Sequence, residues 1–199
     1  RMMTLTWNHE NELASPQRNP GGVLVPQTEK GLTGIGFAFL AEMERLHMIV
    51  DVSHLSDKGF WDIVEHGTRP FAASHSNCRA LAPHTRNLTD EMIRALSERG
   101  GIAGLNYYAP FLDTDPTHPE NCRSTVELIA KHAGHYKQVG GAQMIALGSD
   151  FDGIDGPHQL ENAAFLPLLA DALRKEGFTE DEVEGIYYRN AMRFFEENL

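Results

Sequence analysis

Cysteine is scarce in this sequence, which has only Cys78 and Cys122 among its 199 residues. The two do not form a C-x-x-C pair, so a zinc site built on cysteines is not expected. Two thiols in a chain of this size fit a reducing compartment, and a cytoplasmic location is therefore the expectation. No apolar run approaches the ~20 residues that a membrane-spanning helix needs, so no membrane span is expected.

Basic residues are also in the minority, with 17 Lys and Arg against 28 Asp and Glu and a formal charge of −11. An acidic surface repels phosphate backbones, so no nucleic-acid partner is expected. No G-x-G-x-x-G follows any predicted strand, which removes the usual nucleotide-binding motif of an open α/β sheet. Histidine is plentiful, with ten residues, and it is the commonest metal ligand in proteins.

Strand-like and helix-like segments alternate along the chain. Short apolar segments predict five strands, over residues 2–7, 48–52, 70–73, 101–108 and 143–147. Helical spacing predicts helices over 37–46, 124–139, 160–176 and 180–197, with further helices beginning after Ser56 and Thr89 as N-caps. This alternation predicts an α/β protein with a parallel sheet. Five βα units fit either an open doubly wound sheet or part of an eight-stranded barrel. No linker divides them, so residues 1–199 are predicted to be one domain.

Ligand-type side chains follow the ends of the predicted strands. The carboxyl ends of parallel strands meet on one side, where barrel enzymes build their active sites. Chance placement of such residues after several independent strands is improbable, so we expect them to converge. The residues concerned are His9, His54, His75 and Asp150, with Asn106 and Tyr108 at the end of a further strand.

His54 and His75 end neighbouring strands, which lie ~4.8 Å apart in a sheet, and neutral imidazoles suit zinc. Each could equally be a histidine with an ordinary hydrogen bond. Asp150 is either part of an acidic turn with Asp152 or a carboxylate that moves a proton beside a metal-bound water. Arg86 is either a solvated charge or a bidentate partner for a carboxylate.

Four segments, read in order, resemble the membrane (renal) dipeptidase family of zinc peptidases: Asp51–His54, Ala73–Ser76, Arg86–Asp90 and Gly148–Gly153. Residues 5–9 and 182–195 resemble further motifs of that family, so the likeness covers nearly the whole chain. The resemblance implies a TIM-type (β/α)8 barrel, of which this chain would supply the C-terminal five βα units.

The resemblance also implies an activity, which is hydrolysis of dipeptides, including those with a C-terminal D-residue, at a centre of two zinc ions. His54 and His75 would bind the same zinc. Asp150 would bind the substrate amine or transfer the proton. His9 would polarise the scissile carbonyl and stabilise the oxyanion.

Two further substrate contacts follow from the same resemblance. Arg86 would hold the C-terminal carboxylate of the dipeptide, and Tyr108 would also touch the substrate. Members of the family are commonly homodimers, so a homodimer is the expectation.

The sequence departs from the family pattern at the other half of the metal site. The family has an H-x-D pair on its first strand and a bridging Glu on its third, and this sequence contains neither. The expectation is therefore a partial domain of a longer protein, inactive by itself; a natural short form that cannot hold two metals is the other interpretation. Two different functions also remain open. These are a binding or scaffold protein of the same fold, and another metal-dependent amidohydrolase acting on lactams, lactones or N-acyl amino acids.

Overall fold

The computed structural model describes residues 1–17, 25–114, 121–156 and 158–199. Five parallel strands form one sheet, in which each strand pairs with the next one along the chain. Because all strands run in the same direction, their carboxyl ends lie along one side of the sheet, which we call the carboxyl edge. The strands are β1 (Met2–Thr4), β2 (Ile49–Asp51), β3 (Ala72–Ala73), β4 (Ile102–Leu105) and β5 (Ile145–Leu147).

Helices connect the strands and complete the chain. They are α1 (Gly34–Arg45), α2 (Asp57–His66), α3 (Asp90–Glu98), α4 (Ala109–Leu112), α5 (Val126–Gly140), α6 (Leu166–Lys175), α7 (Glu180–Glu184) and α8 (Asn190–Asn198). The N-caps predicted at Ser56 and Thr89 are confirmed, since their hydroxyls accept from the backbone N–H of Gly59 and Met92. Within the described ranges, no helix combines the length and the apolar character needed to cross a membrane.

The two faces of the sheet are covered differently. One face joins the main core with α2, α3, α5 and α6, while the other packs a smaller cluster against α8. Phe194 of α8 belongs to the same buried cluster as Ile49, Ala72 and Ile102, each of which begins its strand. The C-terminal Leu199 also reaches the first residue, because Arg1 Nη1 donates to its carbonyl oxygen at 2.6 Å. Helix α8 therefore lies at the amino ends of the strands and leaves the carboxyl edge open.

Several predicted boundaries are wrong for identifiable reasons. Strand β4 ends at Leu105 because the next N–H, that of Asn106, donates to the side chain of Asn77 rather than to a neighbouring strand. Helix α6 begins only at Leu166, as expected with Pro167 in its first turn. The predicted last helix is interrupted by a π-helical turn at Gly185–Arg189. The short helix α4 was not predicted.

Candidate active site

A cavity of about 640 Å³ opens at the carboxyl edge of the sheet. Four of the six residues to which the family resemblance assigns a role line it: His54, Arg86, Tyr108 and Asp150. His75 contacts His54 directly, so the structure brings these five together. His9 does not line the cavity. Its side chain is exposed, and its neighbours Trp7 and Asn8 form that part of the wall.

The two strand-end histidines meet through their Nε2 atoms, which lie 2.9 Å apart. Burial lowers the pKa of His54 to about 2, reinforced by the positive charge of Arg86 and by His75. Burial and Arg86 also lower the pKa of His75, although Asp51 and Asp150 oppose them. Both rings are therefore neutral near pH 7, which is the form that binds a metal.

Hydrogen bonds at the other ring nitrogen define each tautomer. Ser74 Oγ donates its single proton to Asp51 Oδ2 at 2.6 Å, so His75 Nδ1 must donate to Ser74 Oγ at 2.7 Å. His54 Nδ1 faces the oxygen Oδ1 of Asn8 at 3.2 Å and must also donate. Each Nε2 therefore presents a lone pair, and the two lone pairs point into the same space.

This donor pair fits a divalent metal ion. Zinc–nitrogen bonds of about 2.0–2.1 Å at a tetrahedral angle place two ligand nitrogens roughly 3.3 Å apart, close to the separation of His54 and His75. A cation would also remove the repulsion between the lone pairs. In the described part of the chain, one group of three ligand-type side chains lies close together, formed by Asp62, Glu65 and His66 on α2, and none of them lines the cavity.

Asp51 supports the histidine pair and was not predicted as a site residue. Its side chain is 1% exposed and accepts from Thr4 Oγ1, Ser53 Oγ and Ser74 Oγ at 2.6–2.9 Å. It also accepts from the backbone N–H of Ser53 and Ser74. Such outer hydrogen bonds orient metal ligands and fix their tautomers. The available signal was an acidic residue in an otherwise apolar strand.

Arg86 presents a buried positive charge to the cavity. The residue is 8% exposed, and its guanidinium lies 5.3 Å from the ring centre of Phe111. Burial lowers its pKa to about 10, opposed by the carboxylates of Asp51 and Asp150, so it stays protonated at neutral pH. Its Nη1 has no hydrogen-bond partner among the described residues. A buried donor is costly to leave unpaired, which favours an anion from outside.

The loop that carries Arg86 is held by Arg79, which sequence reasoning missed. Arg79 forms a bidentate ion pair with Asp57 at the start of α2, at 2.7 and 2.8 Å. The same guanidinium donates to the carbonyl oxygens of Thr85 and Asn87, which flank Arg86. No local sequence pattern marks this contact, because it joins the loop to a different helix.

The comparisons with known proteins agree with this geometry. The family model described as membrane dipeptidase (peptidase family M19) matches residues 1–198.

The chain belongs to the membrane dipeptidase family.

Two solved structures of metallopeptidases resemble the chain over its whole length. One, from Rhodobacter sphaeroides and liganded with a phosphinate mimic of the dipeptide L-Ala-D-Ala, is 31% identical with a TM-score of 0.89. The other, a metallopeptidase of family M19 called dipeptidase AC, is 32% identical with a TM-score of 0.87. The chain covers 56% and 58% of these two proteins.

Among curated relatives, an uncharacterised protein of the pqqA 5′ region in Klebsiella pneumoniae is 38% identical over 94% of this chain and 68% of its own length. The chain thus spans between about half and two thirds of the length of these three relatives. Their TIM-barrel architecture confirms the predicted α/β fold of five βα units. The family assignment confirms the resemblance, while the activity and the roles of individual residues stay predictions.

Proposed function

We propose that this chain provides the substrate-binding side and one zinc's histidine pair of an enzyme that hydrolyses dipeptides, including those with a C-terminal D-residue. The observation that carries the proposal is the content of one cavity. Its lining combines the neutral imidazole of His54, whose Nε2 faces that of His75, with a carboxylate and a buried guanidinium, one donor of which is unpaired among the described residues. A free dipeptide offers the matching groups, which are a carboxylate, a scissile amide and an amine.

His54 and His75 would hold one zinc ion through Nε2, supported by the bonds from Asp51 through Ser74. When bound, the metal supplies Lewis acidity and a water of lowered pKa. Two zinc ions per complete site, as in the family, belong to the same proposal. The described residues supply the two histidine ligands of one of these zinc ions.

Arg86 would bind the C-terminal carboxylate of the dipeptide, satisfying the Nη1 donor. Because the guanidinium is buried at the cavity wall, this contact would anchor the substrate with little competition from water. Asp150 would bind the substrate amine, or accept the proton of the attacking water and pass it to the leaving amine. Tyr108 would contact the substrate from the wall of the cavity.

His9 would polarise the scissile carbonyl, as the resemblance implies. Its exposed side chain lies 6.3 Å, ring centre to ring centre, from Trp7, which lines the cavity. That role requires the imidazole to reach the bound substrate past Trp7.

The complete protein, as encoded, should be assayed for metal content and for hydrolysis of L-Ala-D-Ala and Gly-D-Ala. We expect bound zinc and hydrolysis that a chelator abolishes and zinc restores. If the protein contains no bound metal and shows no chelator-sensitive hydrolysis, the proposal is contradicted and a binding or scaffold protein is favoured. Hydrolysis of lactams, lactones or N-acyl amino acids with dipeptides untouched would favour the alternative amidohydrolase.

Arg86→Ala tests carboxylate recognition. Loss of a charge-assisted bidentate contact, about 2–3 kcal/mol, should raise KM for a free dipeptide roughly 30- to 150-fold. A dipeptide amide, which lacks the carboxylate, should be cleaved equally by the variant and the wild type. Arg94→Ala removes an exposed arginine of α3 and serves as the matched control. An unchanged KM for the free dipeptide in Arg86→Ala would refute the assigned role.

A further inference from the structure

Asp150 occupies a backbone conformation that needs support from its surroundings. Its φ angle is +64°, in the left-handed region that residues with a Cβ seldom adopt. It begins a tight turn after β5, in which the N–H of Gly153 donates to the carbonyl oxygen of Asp150 at 2.9 Å. The direction of the carboxylate therefore depends on the contacts that hold this turn.

The two oxygens of the Asp150 carboxylate have different surroundings. Oδ2 accepts a hydrogen bond from Asn106 Nδ2 at 3.1 Å. Oδ1 lies too close to the position that a Cβ of Gly153 would take for both to fit, so a side chain there would displace the carboxylate. The carboxylate is thus oriented by an amide donor on one oxygen, and the missing side chain of Gly153 leaves the space that the other oxygen occupies.

Every polar group of Asn106 has a hydrogen-bond partner. It is fully buried, and its Oδ1 accepts from the N–H of Tyr108 at 2.6 Å. Its backbone N–H and carbonyl both bond to the side chain of Asn77, at 3.0 and 2.9 Å. Because Oδ1 is already an acceptor, Nδ2 must face Asp150, and the orientation of the amide is determined.

We infer that Asn106 is a positioning residue that sets the direction of the Asp150 carboxylate, with Gly153 leaving the space for it. Asn106 has no exposed surface and cannot touch a substrate, so it acts through Asp150. The same amide fixes the backbone of Tyr108, and both neighbours line the cavity. The expected effect of Asn106 on kcat rests on the proposed function. Its effect on the direction of the Asp150 carboxylate does not depend on that function.

A double-mutant cycle tests the catalytic consequence with L-Ala-D-Ala as substrate. Misdirecting a reacting group by about 1 Å costs on the order of 100-fold, so Asn106→Ala should lower kcat about 10- to 100-fold with a much smaller change in KM. In an Asp150→Asn background, the same substitution should lower kcat less than about 3-fold. Equal falls in the two backgrounds would overturn the inference.

Two further variants separate positioning from stability. Asn190→Ala is the matched control. This buried asparagine begins α8, and its side chain donates to the carbonyl oxygens of Ala142 and Ile145, near the start of β5, at 2.9 and 2.8 Å. The substitution should lower stability and leave kcat unchanged. Gly153→Ala lies in an exposed turn and should fold even if Asn106→Ala does not. We expect it to lower kcat as Asn106→Ala does, and an unchanged kcat would contradict the inference.

A wild-type protein without dipeptidase activity would refute the proposed function, and crystal structures of the wild type and Gly153→Ala would then decide the inference. We expect the Asp150 carboxylate to turn away from Asn106 in the variant. A carboxylate with the wild-type orientation and its bond to Asn106 intact would overturn the inference whatever the activity.

Discussion

His132 gives the sharpest prediction of pH-dependent stability. It lies on α5, 1% exposed, where Nδ1 accepts from the N–H of Cys78 and Nε2 donates to the carbonyl oxygen of Leu112, both at 3.1 Å. Burial lowers its pKa to about 4, although the bond to Leu112 favours the protonated ring. The neutral ring thus joins α5 to the segments after β3 and in α4 that border the cavity.

The unfolded chain protonates this histidine near its ordinary pKa of about 6.5, before the folded chain does. The contribution of His132 to the free energy of unfolding should therefore fall as the pH drops below about 6.5, and it should stop changing near pH 4. Between pH 7.5 and 4.5, a pKa lowered to about 4 corresponds to a loss of about 2–3 kcal/mol.

His132→Gln keeps an acceptor and a donor but cannot titrate. It should be less stable than the wild type by about 1 kcal/mol at pH 7.5, and should lose about 2–3 kcal/mol less on going to pH 4.5. Urea unfolding at the two pH values measures both quantities. His66→Gln, an exposed histidine, should follow the wild type. If His132→Gln also loses as much stability as the wild type, His132 is not the buried neutral group described here.

Two other predictions concern the supports of the site. Arg79→Lys keeps the charge but loses the bidentate fork to Asp57, so it should lower the free energy of unfolding by about 2 kcal/mol and raise KM. Arg45→Lys, at an exposed pair, should change stability by less than about 0.5 kcal/mol in the same urea unfolding, and equal effects would refute the anchoring role. Ser74→Ala should weaken zinc binding about 10- to 100-fold in competition with a chromogenic chelator. Ser97→Ala should not, and wild-type affinity in Ser74→Ala would contradict the tautomer assignment.

Much of the framework follows from local sequence patterns. The five parallel strands and the caps at Ser56 and Thr89 depend on residues a few positions apart, which periodicity and capping preferences reveal. The convergence of His54, His75 and Asp150 follows from one topological rule, because parallel strands direct their carboxyl ends to one edge. The family motifs add the expected roles of these residues, which the geometry alone leaves as predictions.

The supporting contacts required the tertiary structure. Asp51 bonds to Thr4, 47 residues away, and Asn106 bonds to Asp150, 44 residues away. Neither pair has a periodic signature: the first depends on the register of β1 and β2, in which Thr4 pairs with Asp51, and the second depends on what packs beside side chains in the loops after β4 and β5. For the same reason the sequence placed His9 with the other site residues, whereas in the fold its neighbours Trp7 and Asn8 line the cavity.

The sequence by itself therefore determined that His54, His75 and Asp150 reach the carboxyl edge, because local hydrophobic patterns locate the strands and the strands share one direction. Only the fold decided how those side chains are held. The tautomers of both histidines and the direction of the Asp150 carboxylate depend on hydrogen bonds between distant segments. Such bonds form only once the packed core has brought those segments together.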